Sequence, residues 1–184
     1  MLYGLFPLPI FLLPGGITKL RIFEPRYIRL VKESLASQSR FVLAMTEGET
    51  ICSYGTLVDI IDFETLEDGL LGITIQGRHR VRITSASQQS DKLWVSGLDI
   101  LSDWAEEKST GDCEDITNGL RQVFTAYPNH GHQYEATHFD SITWVCQRWL
   151  EVLPLANNQR QWFIAQNSVA EAKDFIRHLI YKSD

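Results

Sequence analysis

The sequence predicts an α+β protein: a small mixed sheet with one inserted helix, followed by a helical bundle. Three observations carry that prediction. Apolar residues alternate in period two over most of the first hundred positions, punctuated by Pro-Gly and Asp-Gly turn signals, whereas beyond residue 115 they recur every three or four. Between the two regimes lies DWAEEKSTGDCED, residues 103–115, where six acids stand against one lysine with little to bury. The chain accordingly divides into a β-rich subdomain over 1–102, an acidic linker or loop over 103–115, and a helical subdomain over 116–184.

The opening MLYGLFPLPIFLLPGGITKL has no charge before Lys19. A signal peptide would need a basic start and an unbroken apolar run, and a spanning helix would lose a backbone donor at each of Pro7, Pro9 and Pro14. The stretch is expected instead to be an edge strand, with Leu8, Ile10 and Leu12 turned toward the core and Pro14-Gly15-Gly16 forming a turn. Thr18 to Ile22 alternates as a second strand. Pro25 suits a helix's first turn, and Tyr27, Val31 and Leu35, with Ile28 beside them, make residues 25–37 an amphipathic helix. Strand patterns recur at 40–45, 55–63, 70–76, 79–84 and 93–101, with Glu67-Asp68-Gly69 as a hairpin signal. Six or seven short strands with tight turns predict a sheet curling into a partial barrel.

In the second half Ile116, Leu120, Val123, Phe124 and Tyr127 share one helical face. Ile142, Val145, Cys146, Trp149, Leu150 and Leu153 share another, which Pro154 ends. Residues 157–166 form a shorter helix bearing Trp162 and Phe163. Ser168-Val169-Ala170-Glu171 has capping-box spacing and opens a last helix burying Val169, Ala172, Ile176 and Leu179. About four helices result.

Composition narrows the function. The net charge is −6, with ten bases and ten acids in residues 1–92 but seven and thirteen thereafter. Neither half has the basic field that nonspecific nucleic-acid or anionic-membrane binding draws on. Cys52, Cys113 and Cys146 are odd in number and widely spaced, which suits a reducing cytoplasm better than a disulfide framework. There is no Gly-Lys pair, hence no phosphate loop, and no G-x-S-x-G elbow; Ser53-Tyr54-Gly55 is turn chemistry. His130-Gly131-His132 and His138 match no zinc spacing and are taken as a solvated loop, with no metal or other cofactor expected. Cys146, on its helix's apolar face, is expected to pack as a small hydrophobe.

Two features suggest binding. Arg78, Arg80 and Arg82 alternate with His79, Val81 and Ile83, a row able to grip phosphate or carboxylate, or to pair with Asp59 and Asp62 across the sheet. Trp94 and Trp104, near the boundary between the halves, are the candidates for a binding groove; packing accounts for the other tryptophans, and burial is weighed above a groove for these two as well.

The order FPLPIFLLPGG, LRIFEPRYIRLV, YGTLVDI, EDGLLGITIQGRHRVRI resembles the N-terminal, substrate-recognition domain of the Lon family of ATP-dependent proteases, closely over about residues 4–101 and more loosely to 182. The resemblance implies a PUA-like pseudo-barrel followed by an α-helical subdomain, and recognition of polypeptides rather than catalysis. The family's ATPase and peptidase parts, with their Walker motif and Ser-Lys dyad, have no counterpart in this sequence. The motif residues carry over as Phe23, Glu24, Pro25, Arg26, Tyr27, Gly55, Asp68, Gly69, Gly77 and Arg80. Phe23, Glu24, Pro25, Gly55, Asp68, Gly69 and Gly77 are expected to be structural: Pro25 starts a helix, Gly69 serves a turn, and Glu24 with Arg26 is expected to tie helix to sheet.

The resulting expectation is a non-catalytic module for unfolded or degron-bearing polypeptides, or for a protease or other protein partner, acting in a groove between sheet and bundle. Its candidate contacts are Arg26, Tyr27, Arg78, Arg80, Trp94 and Trp104. The alternative is RNA binding, by analogy with PUA domains and through the arginine row; a hydrolase with an unrecognised site ranks below both.

Overall fold

The computed structural model describes residues 1–183, and the chain separates into two compact units, Met1–Leu101 and from Ser102 onward. The first holds β1 (Tyr3–Pro7), β2 (Ile17–Ile22), α1 (Pro25–Ser37), β3 (Phe41–Glu47), β4 (Thr50–Thr65), β5 (Leu71–Ile83), β6 (Ser87–Gln88), β7 (Trp94–Ser96) and β8 (Leu98–Ile100). These make one open mixed sheet in the order β2-β5-β4-β3-β1-β7-β6, with β8 added to β5.

The opening segment departs from expectation in one respect. Its strand is interior, parallel to β3 and antiparallel to β7, where an edge strand was expected. The prolines allow this because they fall where the ladder ends. Leu8 N–H donates to Ala44 O at 3.0 Å, so Pro7, one residue earlier, turns its nitrogen to the β7 side, beyond the last pair Leu5↔Trp94. The residues after the strand still supply the core: Leu12 is buried, and Leu8 and Ile10 pack half-buried beside it. A turn closes at Leu13-Pro14-Gly15-Gly16, with Gly16 N–H donating to Leu13 O at 2.9 Å and Gly15 at φ 85°, the left-handed conformation a type II turn needs.

That turn seats on β5. Gly15 N–H donates to Gly77 O and Gly77 N–H to Gly16 O, both at 2.9 Å, and Thr56 Oγ1 donates to Leu12 O at 2.5 Å. A Cβ on Gly77 would lie 2.3 Å from Leu13 O. At the same place the β4–β5 register shifts from Leu57↔His79 to Val58↔Gly77, leaving Arg78 as a bulge. The two strands expected at 70–76 and 79–84 are therefore one bent strand. The single strand expected at 93–101 is two, β7 and β8, divided at Gly97.

The sheet buries both faces. Phe6, Phe41, Leu43, Ile73 and Ile75 lie under α1, while Leu5, Val42, Ala44, Leu57 and Val81 form a second cluster. The run FVLAM of β3 has no wet face, as an interior strand should not. In α1 Pro25 opens the helix and Gln38, at φ 52°, caps it in the left-handed region. Its buried stripe is Tyr27, Leu30, Val31 and Ser34, so Leu35 sits further out than expected.

The second unit contains α2 (Glu114–Ala126), α3 (Pro128–Gly131), α4 (Ile142–Val152), α5 (Asn157–Ile164) and α6 (Ala170–Lys182), with single 3-10 turns at Gly111–Cys113 and Ala136–Asp140. The acidic stretch is irregular but attached: Ile142 N–H donates to Glu107 O at 2.8 Å, Glu107 N–H to Thr143 Oγ1 at 2.9 Å, and Lys173 Nζ meets Glu107 Oε2 at 2.6 Å. Cys146 is fully buried, and burial pushes its thiol up to about 12. Tyr127 and Leu179 are exposed despite their apolar spacing. The cap of α6 is Val169 and not Ser168, whose Oγ accepts from Ala170 N–H at 3.3 Å. No helix among the described residues is long and apolar enough to cross a membrane.

Two outcomes follow. Gly77→Ala should cost about 1–3 kcal/mol through overpacking of backbone on backbone, seen as a lower midpoint in urea unfolding; an unchanged midpoint would contradict the seating of the turn. Asp59 bridges Arg40 and Arg78, each at 2.5 Å. Burial opposes its ionisation, but the two guanidinium hydrogen bonds outweigh that and hold the carboxyl below its ordinary value of 3.8. The stabilisation is thus full above that value and is lost as pH falls through the folded pKa. Asp59→Asn should lower stability at pH 7 and give a flatter decline between about pH 4 and pH 2, read by thermal unfolding across that range.

Candidate functional site

A cleft of ≈ 800 Å³ opens in the first unit where β1 ends, α1 begins and the β6–β7 hairpin turns. Its floor is aromatic. Tyr27 stacks on Phe6 with ring centroids 4.0 Å apart and 6° between planes, Phe41 lies 6.2 Å from Phe6, and the Arg26 guanidinium covers Tyr27 at 4.8 Å. Burial of the ring, offset in part by Arg26, raises the Tyr27 phenol above its ordinary value, so it stays a neutral donor. Trp94 and Leu8 are among its lining residues. Phe23, between β2 and α1, also lines the cleft and is 63% exposed.

Arg26 holds the site together. Its Nε donates to Glu24 Oε2 at 3.0 Å, its Nη2 lies 2.8 Å from the same oxygen, and its Nη1 donates to Lys92 O at 3.2 Å. Arg29, one turn on, donates to Asp91 Oδ2 at 2.9 Å and Gln89 Oε1 at 2.7 Å. Helix α1 thereby grips the hairpin whose Lys92 adopts φ 68°. The expected link from helix to sheet exists, but it runs from Arg26 to a hairpin carbonyl, with Glu24 orienting the guanidinium. Lys92 and Glu49 leave one charge of each sign on the lining.

The structure brings together Phe23, Glu24, Arg26, Tyr27 and Trp94 from the sequence-derived set, and disperses the others. Arg78 is paired with Asp59, Arg82 with Asp99 at 2.5 Å, and Arg80 is 1% exposed. The bulge at Arg78 breaks the alternation that made them look like one row, and Asp62 takes no part, accepting instead from Phe63 N–H at 2.9 Å. Trp104 belongs to the helical unit, where its buried indole donates to Gln166 O at 2.8 Å. Gly55 is confined by Leu43 O, 2.8 Å from where a Cβ would sit, and Asp68 pairs with Arg21 beside Gly69 at φ 80°. Among the histidines, His138 stacks on Trp144 with centroids 5.1 Å apart.

Sequence reasoning missed Phe6, Leu8 and Lys92 as lining residues and expected Phe23 and Glu24 to be structural, whereas both line the cleft and Phe23, at 63% exposure, packs little. The available signal was Arg26 and Arg29, three apart in PRYIR and hence on one helical face.

The model of the ATP-dependent protease La (Lon) substrate-binding domain family matches residues 3–180. A curated relative, Lon protease 1 of Syntrophobacter fumaroxidans, is 26% identical over 141 residues, which are 72% of this chain but 17% of that protein. The chain thus corresponds to a small fraction of that relative's length. The crystal structure of a Lon N-terminal domain protein from Xanthomonas campestris matches with a TM-score of 0.79 at 25% identity, covering 97% of this chain and 98% of that one. The N-terminal domain of a Mycobacterium avium complex Lon protease shares the fold, with a TM-score of 0.67 at 12% identity and 98% coverage of both.

Arg26→Ala should loosen the hairpin. Removing a charge-assisted bond at a partly exposed site is worth about 1 kcal/mol, or roughly fivefold faster amide exchange at Lys92 and Leu93 with the α1 amides unchanged; hydrogen exchange resolved by residue reads it.

Proposed function

The chain belongs to the Lon substrate-binding domain family, and from that premise we propose that its first unit binds extended or unfolded polypeptide in the cleft between Phe23 and Trp94. The observation that supports this reading is the exposed Phe23 ring lining the same cleft as the stacked Phe6 and Tyr27 rings. Segments of unfolded chain offer the complementary chemistry, apolar side chains on a polar backbone. Arg26, Lys92 and Glu49 supply polar contacts at the rim.

In this reading the work is recognition and not turnover. The family matched is the substrate-binding module, and the polar groups of the cleft serve one another: Glu24 holds Arg26, and Arg26 holds a backbone carbonyl. We place the action in a reducing compartment such as the cytoplasm, on the strength of three buried, unbridged cysteines. Whether the client is handed to a protease or held away from one depends on the partner and not on the cleft.

Phe23→Ala tests the reading. An exposed side chain contributes little to folding, so the unfolding temperature should stay put. Affinity for a permanently unfolded probe, reduced and carboxymethylated α-lactalbumin, should fall about fivefold or more, the loss typical of an aromatic anchor. Wild-type protein that fails to bind this probe at tens of micromolar, or a variant that binds as well as wild type, would count against the cleft.

A further inference from the structure

β4 outruns its neighbour. Its pairing with β3 ends at Phe41↔Val58, whereas its pairing with β5 continues, past a bulge at Ile61, to Thr65↔Leu71, so the regular ladder of residues 62–65 has a strand on one side only. The hairpin bond from Leu66 N–H to Leu70 O, 2.8 Å, sets the alternation: Asp62 and Glu64 aim their backbone groups at β5, and Phe63 and Thr65 aim theirs outward. Phe63 N–H is taken by the Asp62 carboxylate, which leaves the Thr65 N–H and two carbonyls on the open side. Five successive residues, 61–65, are exposed, including Ile61 at 45% and Phe63 at 61%. An apolar strand edge of this kind is a template for another strand.

Charge identifies what fits there. Residues 59–69 carry five acids and no base. Arg21 answers Asp68 and Lys19 reaches Glu64 at 3.7 Å, but Asp62 and Glu67 stand outside these pairs. A second copy laid antiparallel on this edge would set acid against acid, which disfavours it. An incoming strand would meet Phe63 on one face and Asp62 and Glu64 on the other, because neighbours along a strand alternate faces. We propose that residues 62–65 of β4, which follow the bulge at Ile61, form a strand-addition site for an extended polypeptide segment in which basic and apolar residues alternate. None of these residues lines the Phe23 cleft, so the site stands independently of that reading.

The test uses the whole chain and a fluorescein-labelled dodecapeptide of alternating lysine and valine, followed by anisotropy at low salt. Binding is expected, at least tenfold weaker for the glutamate–valine peptide and for the lysine–valine peptide with alternate amides N-methylated, which keeps the charge but cannot pair. Thr65→Pro removes an outward donor without touching the β5 ladder, and should cut affinity about tenfold while leaving circular dichroism and unfolding temperature unchanged. A second variant, Asp62→Lys with Glu64→Lys, should reverse the preference toward the glutamate–valine peptide. Phe23→Ala should leave this peptide's binding intact, which separates the two sites. Equal binding of the N-methylated peptide, undiminished binding by folded Thr65→Pro, or a concentration-dependent dimer in sedimentation that Thr65→Pro abolishes would each overturn the proposal, the last by giving the edge to a second copy.

Discussion

The first unit depends on one close approach of backbone to backbone, the seating of the Leu13–Gly16 turn on Gly77. Two backbone hydrogen bonds and a missing Cβ join a loop that follows β1 to the middle of β5, and a third hydrogen bond, from Thr56, ties it to β4. Because β1 lies near one end of the sheet order and β5 near the other, that contact ties separate parts of the sheet together. It coincides with the bulge at Arg78, where the strand bends and the side chains that follow change face. Burial of Arg80 and pairing of Arg78 with Asp59 are consequences of that local geometry.

The cleft is built by the same economy of small contacts. Phe6 comes from β1, Tyr27 and Arg26 from α1, Trp94 from β7, and the hydrogen bonds that align them are made within the unit. A binding floor made of stacked rings loses little rotamer freedom when a partner arrives, since Tyr27 is already pinned between Phe6 and a guanidinium. Phe23 differs in having no such cover, so it is the group whose surroundings change most on contact with an apolar segment.

Much of the architecture was legible because local chemistry agreed with the tertiary outcome. Pro25 starts α1, Gly69 turns the hairpin, Pro14-Gly15 makes a type II turn, and the three- to four-residue period places α4 within a residue or two. What failed did so for identifiable reasons. Proline content suggested an edge strand, but only the partner register reveals on which side Pro7 would have donated. A bulge has no signature in the alternation it interrupts, so Arg78, Arg80 and Arg82 looked like one row. Trp104 and Trp94 have similar sequence settings, yet the indole of one bonds to Gln166 within the helical unit and the other lines the cleft. The family motif picked out Phe23, Glu24, Arg26 and Tyr27 together, and these are the residues the fold gathers.

The interior position of β1 also governs when the sheet can exist. Its neighbours are β3, about forty residues later, and β7, about ninety residues later. Until the chain has been made through Val95, the uncharged opening segment can find only one of its two flanking strands, and Leu5 lies against an incomplete face. Contacts so distant in sequence form slowly, after the loop-closure cost has been met. The apolar side chains of β1 therefore stay only partly sheltered until the later of its two flanking strands has been made, and the parallel pair with β3 must hold without the antiparallel one in the meantime.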